Sequence, residues 1–331
     1  MLHRTISACY DALVGEMKMN LIVFDLEWNQ CPDGKEHEIP EMPFEIVEIG
    51  AVKLNERKEI TDTFHCLVRP SVYDAIHVRT AEVISLTMED LLRDGVPFPE
   101  AADSFLDWCG ENPRFCTWGT LDLMELQRNL RWYHRMERLK GPLFYEDVQK
   151  LFALYCETPK ERRSLQDAVA YLHFPEDTAF HMAIDDAMYT ARILQILPDD
   201  LIFKNYSVDC YQNPQVEMRI HYDTYDKYIS CEFDSKDEAM EDGEVTAVRC
   251  FCCHKNVHRV IRWFSNGGRN YLAVGKCPEH GLVKSKVRMH RAADGRFFAV
   301  KTTKMIRPED AAKIFHTQEN LRHRRQSKRK R

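Results

Sequence analysis

The spacing of apolar and polar positions changes character three times along this chain. Residues 19–25, centred on Leu21-Ile-Val-Phe24, form a short apolar run that stops at two acids one residue apart, which predicts a buried strand. After a proline-containing loop over 30–43, residues 45–53 and 59–68 predict two more strands. The short polar stretch between them implies an antiparallel meander. From residue 97 the apolar positions recur at helical spacing over 97–109, 121–138, 145–156 and 165–172, with one short strand expected over 114–118. A last helix is predicted over 183–197, stopped by Pro198. Strands first, then strand and helices in alternation, indicate an α/β layer fold with a mixed sheet.

The C-terminal third reads differently. Residues 219–233 have strand character, and 234–244 form an acidic stretch expected to act as a linker. A small β-rich module follows to about residue 306, with hairpin signals at Asn266-Gly-Gly268 and Asp294-Gly295. Pro308 with Glu309 and Asp310 opens a final helix, and the arginine-rich end from Arg322 reads as disordered. The expected organisation is an N-terminal extension over 1–18, a main domain over 19–200 and a linker or extension over 201–244. A module over 245–306 and a helix with a basic tail over 307–331 complete it.

Composition narrows the setting. Among 331 residues, 44% are hydrophobic and 30% charged, an ordinary globular balance. No apolar run approaches the ~20 residues of a membrane span, and residues 1–20 lack the apolar stretch and cleavage site of a signal peptide. Twelve cysteines scattered without a regular framework suggest free thiols in a reducing cytoplasm. The net charge of −6 conceals a split: from Cys250 onward there are 21 Lys+Arg against 5 Asp+Glu, and before it 25 against 47. A basic arm on an acidic body points to a polyanionic partner.

Candidate chemistry lies first in the acids. Asp25 and Glu27 stand at i and i+2 of the first strand, so they share a face, and their hard oxygens suit Mg²⁺ or Mn²⁺. Asp122 follows the Trp118-Gly119 turn at a helix start, a position that also suits a simple cap. Asp186 lies in the last helix of the main domain. His181, five residues earlier, would be ~140° away on a continuous helix and so is expected on the preceding loop. Asp185 is a rival to Asp186.

Together, Asp25-x-Glu27, Asp122 and His181-x4-Asp186 resemble the DEDD superfamily of 3′-5′ exonucleases in its histidine-bearing (DEDDh) branch. Glu45-Ile-Val-Glu-Ile-Gly-Ala-Val52 also looks like that family's second strand, and the resemblance covers residues 19–197. It implies an RNase H-like fold, with two Mg²⁺ (or Mn²⁺) ions held by Asp25, Glu27, Asp122 and Asp186 around the scissile phosphate. His181 would take the proton of the attacking water. By the same resemblance, Leu26 and Trp28 would lie beside the terminal nucleotide, although Trp28 reads equally well as a core aromatic.

A second constellation follows. Cys250-Phe-Cys-Cys253 and Cys277-Pro-Glu-His280 resemble the two knuckles of a zinc ribbon, with Cys250, Cys253, Cys277 and His280 as ligands of a structural Zn²⁺. Cys252, His254 and His258 leave the first knuckle ambiguous, and Gly275 and Gly281 suggest tight turns beside the second. Arg259, Arg262, Trp263, Arg269 and Lys276 interleave cations with an aromatic, as nucleic-acid binding requires. The combined expectation is a metal-dependent 3′-5′ exonuclease acting on single-stranded nucleic acid, leaning to RNA over DNA. The alternatives are a non-catalytic binding protein on a nuclease scaffold and an enzyme restricted to short oligonucleotides.

Overall fold

The computed structural model describes residues 20–84, 86–175, 180–212, 215–292 and 294–329. The expected N-terminal extension and the last two residues of the basic tail lie outside the described residues. The chain divides into two compact units, Met17–Tyr211 and a second that contains Gln212–Arg331. No helix among the described residues is long and apolar enough to cross a membrane.

In the first unit, β1 (Leu21–Asn29), β2 (Glu45–Leu54) and β3 (Ile60–Arg69) form the expected antiparallel meander. Two short helices follow, α1 (Val78–Val83) and α2 (Met88–Asp94), which the apolar periodicity did not announce. The second begins at a reciprocal capping box between Thr87 and Asp90, a local signal that hydrophobic spacing cannot carry. Then come β4 (Val96–Pro97), α3 (Phe98–Cys109), β5 (Arg114–Thr117) and α4 (Leu121–Trp132). They are followed by β6 (Phe144–Asp147), α5 (Val148–Tyr155), α6 (Leu165–Tyr171), α7 (Ala183–Ile196), α8 (Asp199–Lys204) and β7 (Ser207–Val208). The sheet order is β4-β3-β2-β1-β5-β6-β7, with β1, β5 and β6 mutually parallel. It is the mixed sheet flanked by helices that the sequence order implied.

Two expected helices are shorter than their apolar spacing suggested. Residues 145–156 begin as strand, because Phe144 and Tyr145 suit a pleated surface and Asp147 then caps α5 by accepting from the Lys150 N–H at 2.8 Å. The helix from Leu121 ends at Trp132, and His134 follows with φ +54° before a single 3₁₀ turn over Met136–Arg138.

The second unit holds β8 (Met218–His221), β9 (Asp226–Phe233), α9 (Lys236–Glu241) and α10 (Gly243–Thr246). It continues with β10 (His258–Ser265), β11 (Asn270–Cys277), β12 (Gly281–Arg291), β13 (Phe297–Met305) and α11 (Pro308–Arg329). The strands pair antiparallel as β10-β11-β12-β13-β9-β8. Residues 201–244 are therefore no linker: α8 and β7 belong to the first unit, and β8, β9 and α9 to the second. Ser235 caps α9 by accepting from the Glu238 N–H, and buried Ala239 packs with Val245, Val287 and Met289. On the other face of this sheet, Ile314 of α11 packs with Ile261 and Val274. The arginine-rich end, expected to be disordered, is helical as far as Arg329.

Candidate functional site

Alternation along β1 decides where its acids go. Ile22, Phe24 and Leu26 point into a core shared with α3 and α4, while Leu21 and Val23 face α5, α6 and α7. Asp25 and Glu27 continue that second row at the end of the strand. Gly50 pairs with Asp25 across β2, and a Cβ built on it would lie 2.1 Å from the backbone of Ala183 and Ile184. The first turn of α7 thus rests directly on bare sheet backbone, which brings Asp186 over the two β1 acids.

Asp122 arrives from the other side. α4 begins beyond the end of β5 and is anchored at Asn129, which accepts from the Ile46 N–H at 3.2 Å and donates to the Phe44 carbonyl at 2.9 Å. Leu123, Leu126 and Leu130 fix its buried face. Asp25, Glu27, Asp122 and Asp186 then line one cleft of about 390 Å³, together with Leu26, Trp28, Trp118 and Gln149. It opens at the C-terminal ends of parallel strands β1 and β5, where open α/β sheets characteristically bind ligands.

Burying and crowding these acids favours their protonated forms. Burial, then the charges of Asp122, Glu27, Asp186 and Glu48, hold Asp25 well above the usual carboxylate range. Glu27 is pushed up to about 8 by burial and by Asp186, Glu48 and Asp122. Burial lifts Asp122 to about 7, although its own N–H and that of Leu26 partly offset this. Asp186 rises to about 6, again chiefly through burial, and its Oδ1 is buried without a hydrogen-bond partner. Four carboxylates this close cannot all stay ionised without counter-charge. A divalent cation fits both that demand and the unpartnered oxygen.

His181 lies on the segment before α7, as expected, with φ +71°, a left-handed conformation uncommon for a side-chain-bearing residue. Its backbone N–H donates to Asp186 Oδ2 at 3.4 Å, and its imidazole offers a nitrogen within 4.8 Å of carboxylate oxygens of Glu27 and Asp186. Asp185 does not line the cleft, although its charge helps to raise both Asp186 and His65. Trp28 is half-buried against Phe44, with ring centroids 5.6 Å apart, and also lines the cleft.

Sequence reasoning passed over Glu48. This fully buried acid pairs in register with Glu27, and its Oε1 meets His65 Nε2 at 2.8 Å. An acid inside the otherwise apolar β2 run was the available signal. Trp118 and Gln149 were missed as cleft walls because nothing local ties them to Asp25.

The sequence family described as RNase T, exonuclease, matches residues 22–194, the stretch that builds this cleft. The chain belongs to the RNase T exonuclease family. Similar solved structures include a full-length 3′-exonuclease, with 22% identity over 54% of this chain and 60% of that one at a TM-score of 0.45. The nuclease domain of 3′hExo, a DEDDh family member bound to rAMP, shares 24% identity over 54% of this chain and 90% of its own at 0.43. Cell-death related nuclease 4 (CRN-4) shares 18% over 57% and 65% at 0.44. The chain thus spans about 60% of that full-length 3′-exonuclease. No curated protein matches it.

Outside the stretch matched to the RNase T family, Cys250, Cys253, Cys277 and His280 converge, with all ligand atoms within 4.8 Å of one another. Both Cys250 and Cys277 Sγ lie 3.5 Å from His280 Nδ1, and Cys253 and Cys277 Sγ are 3.9 Å apart. Burial alone would raise the Cys277 thiol, but the His280 and Glu279 backbone N–H groups and the His280 ring bring it down to about 6. A thiol so easily ionised fits a zinc ligand. Cys252 is exposed and takes no part in the cluster. Gly275 lies within β11 rather than in a turn. A Cβ there would meet Val257 at 2.4 Å and Val248 at 2.9 Å, so the glycine seats the loop that carries Cys250 and Cys253.

Of the basic and aromatic set, Arg259, Arg262, Arg269 and Lys276 are exposed. Trp263 is not a stacking platform: it packs into the core, and its indole N–H donates to the Thr246 carbonyl at 2.9 Å. The inward-facing positions of β10 take the aromatic, and the cations keep the water.

Proposed function

We propose that the chain is a divalent-metal-dependent 3′-5′ exonuclease that releases nucleotides from the 3′ end of single-stranded nucleic acid, RNA ahead of DNA. The observation that carries this reading is the convergence of Asp25, Glu27, Asp122 and Asp186 on one cleft, with the protonation equilibria of all four raised. Two Mg²⁺ or Mn²⁺ ions held by these carboxylates would acidify the attacking water and steady the leaving 3′ oxygen. His181 would accept the proton of that water, and Leu26 and Trp28 would flank the terminal nucleotide. The lean to RNA rests on the resemblance of the core to RNA-trimming relatives.

In the second unit, Cys250, Cys253, Cys277 and His280 would hold a structural Zn²⁺. Arg259, Arg262, Arg269 and Lys276 would contact phosphates, so that the unit lengthens the residence of the substrate. The free thiols of the described cysteines support a reducing, cytoplasmic setting. Matched 5′-labelled RNA, single-stranded DNA and duplex substrates test the proposal. Mg²⁺ or Mn²⁺ should produce a ladder shortened from the 3′ end, fastest on single-stranded RNA. Binding without cleavage of any substrate would refute it and leave a nucleic-acid-binding scaffold.

A further inference from the structure

A second group of metal-type ligands, distinct from the cysteine cluster's four, lies on the β8–β9 side of the C-terminal sheet. His221 ends β8 and Asp226 opens β9, and the two are register partners across the hairpin. The turn between them is closed by the Tyr222 N–H donating to the Tyr225 carbonyl at 2.9 Å, with the two tyrosine rings stacked 4.4 Å apart. The pair is therefore held by backbone pairing on a rigid turn.

His254 reaches the same point from a different direction. It follows Cys253 with φ +57°, and its N–H donates to the Cys250 carbonyl at 2.8 Å. Its ring does not join the cysteine cluster but approaches Asp226, with Nδ1 3.7 Å from Oδ2. His221 Nδ1 contacts the other oxygen, Oδ1. The His221 ring stacks on Phe251 at 5.0 Å and meets the His254 ring nearly edge-on at 5.2 Å. Each oxygen of one carboxylate thus faces its own imidazole, and one ligand atom from each residue lies within 4.8 Å of the others. Tetrahedral coordination at roughly 2.0–2.1 Å requires ligand atoms roughly 3.3 Å apart. To reach that spacing the His254 contact shortens and the direct His221–Asp226 contact opens to admit the ion.

We propose that His221, Asp226 and His254 bind a borderline divalent transition-metal ion, Zn²⁺ in the first instance, as a three-ligand site with one exchangeable position. Two imidazoles and one carboxylate form the donor set of open zinc sites rather than closed structural ones. The three residues line a cavity of about 410 Å³ that also carries Lys227 and Lys301. Its two arginines, Arg219 and Arg249, share the single carboxylate of Glu244. Water or an anionic oxygen from this cavity fills the fourth position. The site depends neither on the nuclease reading nor on zinc at the cysteine cluster.

The test is a metal count on the full-length chain, stripped with chelator, reloaded with excess Zn²⁺ and freed of unbound ion. The H221A/H254A double variant should bind one equivalent of zinc fewer than the parent. Asp226→Asn, which keeps the size and hydrogen-bonding capacity of the side chain, should lose the same equivalent with an unchanged circular dichroism spectrum. Co²⁺ added to a Cys250→Ser/Cys253→Ser/Cys277→Ser variant should give visible d–d bands without a thiolate charge-transfer band, since His221, Asp226 and His254 offer only nitrogen and oxygen. Zinc content in H221A/H254A and Asp226→Asn equal to that of the parent, or absence of d–d bands in the cysteine variant, would overturn the assignment.

Discussion

Gly50 stands opposite Asp25 on the neighbouring strand, and the absence of a side chain there lets the first turn of α7 rest on the sheet. A methyl group at this position would strike backbone atoms, which cannot swing aside as a long side chain does. Gly50→Ala should therefore cost about 1–3 kcal/mol of stability, read by urea denaturation. The retreat of α7 would also displace Asp186, so hydrolysis should fall on the order of 10²-fold. A variant that keeps both stability and activity would show that the helix is not seated as described.

Asp186 and Asp185 are neighbours with opposite expected behaviour. Asp186→Asn should abolish Mn²⁺-dependent cleavage, because an amide offers the ion one neutral oxygen in place of a carboxylate. Asp185→Asn should retain most activity. The reverse outcome in a single-turnover assay would transfer the metal-ligand role to Asp185.

The raised acids make a prediction about pH. Glu27, Asp122 and Asp186 titrate at about 8, 7 and 6 in the folded chain, above their unfolded values near 4. Between those limits the unfolded chain has lost protons that the folded one retains. Metal-free protein is thus most stable below about pH 4 as far as these groups are concerned, and loses that stability as pH rises toward about 8. Thermal melts in EDTA should show this fall. Mg²⁺ or Mn²⁺ should restore stability, most strongly at the alkaline end, and Glu27→Gln should flatten the slope.

Much of this was legible in the chain, for reasons that differ from residue to residue. Asp25 and Glu27 were readable because a period of two along an apolar strand fixes which side chains share a face. Helix α7 was readable from its spacing and from Pro198. Glu48 was not, because its importance comes from register with Glu27 on another strand. Trp263 was misjudged for a related reason: composition shows that an aromatic is present among cations, but only the pairing of β10 with β11 decides which way it points. Residues 234–244 looked like a linker because their charge is high, yet Ser235 capping and Ala239 burial suffice to order a short helix there.

The inward placement of Trp263 is itself testable. Trp263→Phe should lower stability by about 0.5–1.5 kcal/mol, because phenylalanine cannot donate to the Thr246 carbonyl, with little change in affinity for labelled single-stranded oligonucleotide. A large drop in affinity at unchanged stability would restore the stacking role.

For Arg259, Arg262, Arg269 and Lys276 the expectation is the opposite. Each change to alanine should leave the melt unaltered and reduce the slope of log affinity against log salt by about 0.7 for every single-strand phosphate that is no longer neutralised. Fluorescence anisotropy across a salt series reads this directly. An unchanged slope in the quadruple variant would remove these residues from the interface.

Helix α11 leaves the sheet behind it. Its inward stripe of Ala311, Ile314 and Gln318 ends near Leu321, with the Gln318 amide donating to the Arg262 carbonyl at 3.2 Å, and beyond that point Arg322, Arg324 and Arg325 are exposed. A helix of 22 residues extends for roughly 33 Å at 1.5 Å per residue. Arg322, Arg324 and Arg325 are therefore carried on helix and not on open coil. Phosphates that engage them meet charges whose spacing is already set, so little backbone freedom remains to be surrendered on contact.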